Sequence, residues 1–167
     1  MRAAEDRHAN CCATRATSGA PRGKDGAVSE DRGYRVVPHT ADVILEAWGP
    51  DLAACCEEAV AALASTYVDG TGAAEVERRS VHVDGESDEQ LLLELLEEVI
   101  FALDTAEGVP VAATARAAVD GGLDVTLVLA DPDTVEPTGS APKAVSHSEL
   151  VVERQPGRVT CRFLIDV

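Results

Sequence analysis

Apolar positions follow two periods along the chain. Alternating apolar and polar residues predict strands over 34–37, 43–48, 75–84, 111–119, 123–129, 145–152 and 159–167. Apolar residues spaced three or four apart predict two helices, one opening after Asp51 and one running from Ser87 to about Thr105. This order predicts an α+β fold, a two-layer sandwich in which a mixed or antiparallel β-sheet packs against the two main helices.

Local signals support these elements. Ser87 and Gln90 have the spacing of a capping box before the second helix. Two turns, Asp120-Gly121-Gly122 and Gln155-Pro156-Gly157, predict hairpins between the last four strands. The segment between the two predicted hairpins, residues 131–142, is predicted to be a loop.

Residues 1–32 show neither period and mix small, charged and turn-forming residues. Such a composition is typical of a disordered extension. The chain is therefore predicted to consist of an N-terminal extension, residues 1–32, and a single domain, residues 33–167.

The charge balance limits the partners of this chain. It has 14 Lys and Arg residues against 30 Asp and Glu residues, a formal net charge of −16, and only 3% aromatic residues. An acidic surface repels phosphate backbones and anionic lipid, so direct nucleic-acid binding is not expected. No apolar run approaches the length of a membrane span, and no membrane contact is expected.

The five cysteines, including the doublets Cys11-Cys12 and Cys55-Cys56, form a poor disulfide framework. This indicates a reducing compartment and a cytoplasmic location. Cys55 and Cys56 lie on the apolar face of the first helix, which favours core packing. A thiol-based redox or sensor role for either doublet is the alternative.

A few polar residues border the apolar strands and are candidates for chemistry. Asp42 precedes one strand and Asp166 ends another, so their carboxylates are candidates for a hard-cation site of the kind that holds Ca²⁺ or Mg²⁺. His39 is a candidate base or ligand. His82 and His147 fall in predicted strands and lack a Cys or His partner at ligand spacing, so no site is predicted there.

Several motifs, taken together, resemble the archease family. They are Tyr34 with Pro38-His39-Thr40-Ala41-Asp42-Val43, then Ala47-Trp48-Gly49 before a helix, Lys143-Ala144-Val145-Ser146, and Phe163-Leu164-Ile165-Asp166-Val167. The resemblance runs from Tyr34 to the last residue. It implies an accessory, chaperone-like activator of RtcB-type RNA ligases, which promotes GTP-dependent guanylylation and turnover of the ligase in tRNA splicing and RNA repair.

The same resemblance implies a divalent cation, most readily Ca²⁺, with Mg²⁺ or Mn²⁺ as alternatives. Its ligands would be the side chains of Asp42 and Asp166 and the backbone carbonyl of Val167, to which a terminal carboxylate would lie close. Lys143 corresponds to a lysine implicated in activation, and His39 would orient Asp42. Such an activator has no catalytic residue of its own.

One enzymatic alternative uses the same residues. A free-standing metal-dependent enzyme acting on a phosphate ester would use His39 as base beside a metal on Asp42 and Asp166. No Walker loop, G-x-G-x-x-G, G-x-S-x-G or H-E-x-x-H motif occurs in the chain, so a P-loop nucleotidase or an elbow-type serine hydrolase has no support.

Overall fold

The computed structural model describes residues 31–38, 42–105 and 107–167. The predicted extension therefore lies outside the described residues up to residue 30, as does His39. The two helices are α1, Leu52–Tyr67, and α2, Asp88–Thr105. The strands are β1 Gly33–Pro38, β2 Val43–Gly49, β3 Val68–Asp69, β4 Glu75–Val83, β5 Val109–Ala117, β6 Leu123–Ala130, β7 Glu136–Pro137, β8 Ala144–Val145, β9 Val151–Gln155 and β10 Arg158–Asp166.

The strands form two larger sheets and a short ribbon. The first sheet has the order β1-β2-β10-β8, with β9 also pairing with β10, and the second has the order β4-β6-β5. The ribbon joins β3 to β7. Every pairing among the described strands is antiparallel. The predicted α+β class is confirmed, with the strands divided between two sheets.

Helix α1 contacts both larger sheets, through β2 in the first and β5 in the second. Asp51 caps its N-terminus, and the Asp51 carboxylate accepts a hydrogen bond from the Ala54 N–H at 2.8 Å. Its buried side chains include Leu63, which is fully excluded from solvent, as is Phe163 of β10. The core is thus one cluster shared by both sheets and both helices.

The thiols of Cys55 and Cys56 are buried in this core, as the sequence pattern predicts. Cys55 Sγ lies 3.6 Å from the Ala47 carbonyl oxygen, and Cys161 of β10 is buried nearby. Burial raises the pKa of Cys56, which disfavours the thiolate. The arrangement favours packing over redox chemistry. Cys11 and Cys12 lie outside the described residues.

Helix α2 begins with the capping box that the sequence predicts. Ser87 Oγ accepts a hydrogen bond from the Gln90 N–H at 3.3 Å. The Gln90 side chain reaches back to the Glu86 N–H at 2.7 Å, one residue further than in the standard box. Both bonds give a partner to backbone N–H groups at the N-terminus of α2.

The predicted single strand over 145–152 is wrong. A 3₁₀ turn, His147–Glu149, separates β8 from β9, so His147 lies in a turn. Val145 pairs with Ile165 and Val151 pairs with Arg162. The chain from Val145 to Val151 is therefore longer than the stretch of β10 that it faces, and the turn takes up the extra residues. Val145 and Leu150 would point to opposite faces of a continuous strand because their separation is odd. The turn allows both to be buried.

A buried carboxylate of α1 pairs with Arg32, just before β1. Glu58 is only 4% exposed, and Arg32 pairs with it and with Glu57, the latter at 2.5 Å. Glu57 also accepts a hydrogen bond from the Ala115 N–H of β5 at 2.7 Å. Arg32, placed by prediction in the extension, therefore contacts the domain.

Replacing Arg32 by Ala is expected to lower the free energy of unfolding by about 1–3 kcal/mol, since Glu58 would lose a charged partner while buried. The control is Arg35→Ala, because Arg35 pairs with Glu46 and its side chain is 66% exposed. That change is expected to cost less than about 1 kcal/mol. Urea unfolding of both variants makes the comparison, and equal losses would contradict the role given to Arg32.

Candidate metal centre

The end of β10 brings the two candidate carboxylates together. Strand β10 lies between β2 and β8, and Ile165 is opposite Val43 on one side and Val145 on the other. The β2 ladder ends at that pair. Asp42 precedes Val43 in a bend and Asp166 follows Ile165, so a continuation of this antiparallel register would place Asp42 opposite Asp166.

Strand alternation gives the direction of these residues. Ile165 is fully buried and Val43 packs against the core. Their neighbours Asp166, which is exposed, and Asp42, which is half-buried, fall on the outer face of the sheet. Opposed residues of an antiparallel pair have Cβ atoms about 5 Å apart, so two carboxylates share one end of this face.

Lys143 and Val167 lie at the same end. The Lys143 N–H donates to the Asp166 carbonyl oxygen at 2.8 Å, which continues the β8 ladder beyond Ala144. The Lys143 side chain is exposed, and Val167 is partly buried against the core. Of the five residues singled out by sequence, four converge, and the fifth, His39, lies outside the described residues.

Among the described residues, no side chain pairs with the two carboxylates at this end. Within residues 42–105 and 107–167, the side chains of Asp42 and Asp166 form no hydrogen bond or ion pair. Two positions further along the same face of β2, Glu46 is paired with Arg35 and lies 3.7 Å from Arg162. Two carboxylates beside backbone carbonyls form an all-oxygen donor set, which fits Ca²⁺ or Mg²⁺. Their role as cation ligands stays a prediction.

The Archease protein family (MTH1598/TM1083) matches residues 34–167 of this chain. The chain belongs to the archease family. A relative from Mycobacterium tuberculosis (strain ATCC 25618 / H37Rv), named "Probable protein archease", is 39% identical over 145 residues, which cover 87% of this chain and 79% of the relative. "Protein archease" of Archaeoglobus fulgidus is 33% identical over 72 residues, or 43% of this chain and 53% of the relative.

Two solved structures share the fold of this archease-family chain. The solution structure of Methanobacterium thermoautotrophicum protein 1598 has a TM-score of 0.65 at 23% identity and covers 81% of this chain and 99% of that one. The crystal structure of a Thermotoga maritima archease, described as a possible chaperone, has a TM-score of 0.58 at 19% identity, with coverages of 80% and 96%. At these identities the likeness establishes the fold.

Neither described helix combines the length and the hydropathy that a membrane crossing requires.

The placement of Asp42 opposite Asp166 predicts repulsion in EDTA. Replacing either carboxylate by Asn removes the same repulsion, so the double variant should gain less stability than the sum of the single gains. The expected coupling is about 0.2–1 kcal/mol, measured by urea unfolding in a double-mutant cycle. The control cycle pairs Asp166 with Asp133, an exposed carboxylate in another loop. Equal coupling in both cycles would contradict the placement.

Proposed function

We propose that this protein is a non-catalytic, chaperone-like activator of an RtcB-type RNA ligase, promoting the GTP-dependent guanylylation and the turnover of that ligase. Family membership supports the accessory role. The observation that carries the proposal is the pairing of β2 with β10, because it brings the motif containing Asp42 and the motif containing Asp166 to one end of a sheet.

A divalent cation, most readily Ca²⁺, would be held at this end by the carboxylates of Asp42 and Asp166 and the carbonyl of Val167. The lack of a paired cation among the described residues supports this assignment, since like charges close together are unfavourable without a counterion. When bound, the cation supplies positive charge of the kind that phosphoryl transfer requires.

Lys143 would contact the partner. Its backbone is fixed by the bond to Asp166, so its exposed side chain starts from a defined point beside the two carboxylates. An ammonium group on such a stem can reach an anionic group of a bound protein or nucleotide. The activation surface thus combines one cationic side chain with the cation site.

The partner, and not this protein, would bind the RNA. A net charge of −16 disfavours contact with a phosphate backbone, whereas it does not disfavour contact with a basic protein surface. The proposed location is the reducing cytoplasm, where the buried thiols stay unpaired. Activation then proceeds either by providing charge at the ligase site or by tighter binding to the competent ligase conformation.

The test uses the RtcB-type ligase of the same organism with GTP, RNA and this protein. Substoichiometric protein should accelerate guanylylation and sustain repeated ligation, and it should show no turnover with nucleotide or RNA alone. Asp42→Ala and Asp166→Ala should lower both Ca²⁺ affinity and activation at least about tenfold, because each removes a charged ligand. Calorimetry with Ca²⁺ and single-turnover guanylylation measure the two effects.

Two controls sharpen this experiment. Lys143→Ala should lower activation and leave Ca²⁺ affinity unchanged, and Asp133→Ala should leave both unchanged. An unaltered ligase rate with wild-type protein would refute the activator role. Hydrolysis of a phosphate ester by this protein alone, abolished by EDTA, would instead support the enzymatic alternative.

A further inference from the structure

A second cluster of metal-ligating side chains lies on the other sheet, at the end of β4. His82 is opposite Asp124 of β6, Asp84 follows β4, and Asp120 lies in the turn between β5 and β6. The sequence predicts no site here, because His82 has no Cys or His partner at ligand spacing. The register of the β4-β6-β5 sheet assembles them.

The distances within the cluster are short and similar. His82 Nε2 lies 3.1 Å from Asp84 Oδ1 and 3.2 Å from Asp120 Oδ2. One ligand atom from each of the three residues lies within 4.8 Å of the other two. Three ligands about 2.0–2.2 Å from one Zn²⁺ in tetrahedral geometry are separated by roughly 3.3 Å. His82 Nε2 and Asp84 Oδ1 are also within hydrogen-bond distance, and the spacing of Nε2 from both oxygens is close to that between the ligands of a zinc site.

The imidazole is held by a carboxylate outside this trio. His82 Nδ1 lies 2.8 Å from Asp124 Oδ1, and the other oxygen of Asp124 lies 3.0 Å from Arg116 Nη2. Because a carboxylate only accepts, Nδ1 carries the proton and donates to Asp124. Zinc-bound histidines commonly have this arrangement, in which a carboxylate fixes the tautomer and orients the ring.

The turn orients Asp120 in the same way. Asp120 Oδ1 accepts a hydrogen bond from the Gly122 N–H at 3.1 Å, so Oδ2 is the oxygen that faces His82. A Cβ at position 122 would lie 2.5 Å from the Val83 carbonyl oxygen and 3.3 Å from His82 Cε1. Only glycine therefore allows the turn to approach β4 this closely.

We propose that His82, Asp84 and Asp120 form a Zn²⁺ site, with Asp124 as the positioning residue for the imidazole. The three protein ligands leave one tetrahedral position open to water, because the side chains of Asp84 and Asp120 are 83% and 55% exposed. One nitrogen and two oxygens suit a borderline metal, in contrast to the all-oxygen set of Asp42 and Asp166.

The test is calorimetric titration of the full-length protein with ZnCl₂. His8→Gln, Cys11→Ser and Cys12→Ser serve as a common background, which removes potential ligands that precede the described residues. The background protein should bind one Zn²⁺, and the ¹⁵N signal of His82 Nε2 should shift on binding. His82→Gln should abolish this binding, and Asp124→Asn should weaken it roughly ten- to hundredfold.

Two controls separate this site from the rest of the molecule. His147→Gln alters another exposed histidine, which lies near Glu97, and should leave zinc affinity unchanged. Asp166→Asn, which alters the other candidate site, should also leave zinc affinity unchanged. The zinc result is therefore independent of the proposed ligase-activating function. Absence of saturable one-to-one binding by the background protein, or retention of full affinity by His82→Gln, would overturn the proposal. Circular dichroism establishes that each variant is folded.

Discussion

The pairing of β2 with β10 is the constraint on which the candidate site depends. It joins the second and the last of the described strands over seven register pairs, from Gly49–Val159 to Val43–Ile165. Shifting this register by one residue would turn Ile165 outward and Asp166 into the core, at the cost of burying a charge. The packing of Phe163 and Ile165, both fully buried, therefore also fixes where the two carboxylates meet.

Local signals in the sequence were enough to predict the main elements. Helix α2 and its cap follow from the spacing of apolar residues and from Ser87 and Gln90, all within one short segment. The break between β8 and β9 could not be predicted, because it depends on Val145 and Leu150 both facing the core. The division of the strands into two sheets likewise depends on long-range pairing that no local period encodes.

The two candidate sites differ in how far sequence reasoning could reach. Asp42 and Asp166 border apolar strands, so the sequence indicates where a carboxylate is anomalous even before the pairing is known. The cluster around His82 has no such signal, since His82 alternates outward on β4 and Asp120 is an ordinary turn residue. The cluster can be recognised only from the cross-strand register, which places His82 opposite Asp124.

Selectivity between these sites must come from donor chemistry. A chain with a net charge of −16 attracts every cation at long range, and this attraction does not distinguish Ca²⁺ from Zn²⁺. An all-oxygen donor set, as proposed at the end of β10, favours hard cations, whereas the imidazole nitrogen of His82 favours borderline metals. The carboxylate of Asp124 is hydrogen-bonded to His82 and orients the imidazole ring instead of binding the ion. The geometry of the ring, as well as the charge of the site, therefore selects the ion.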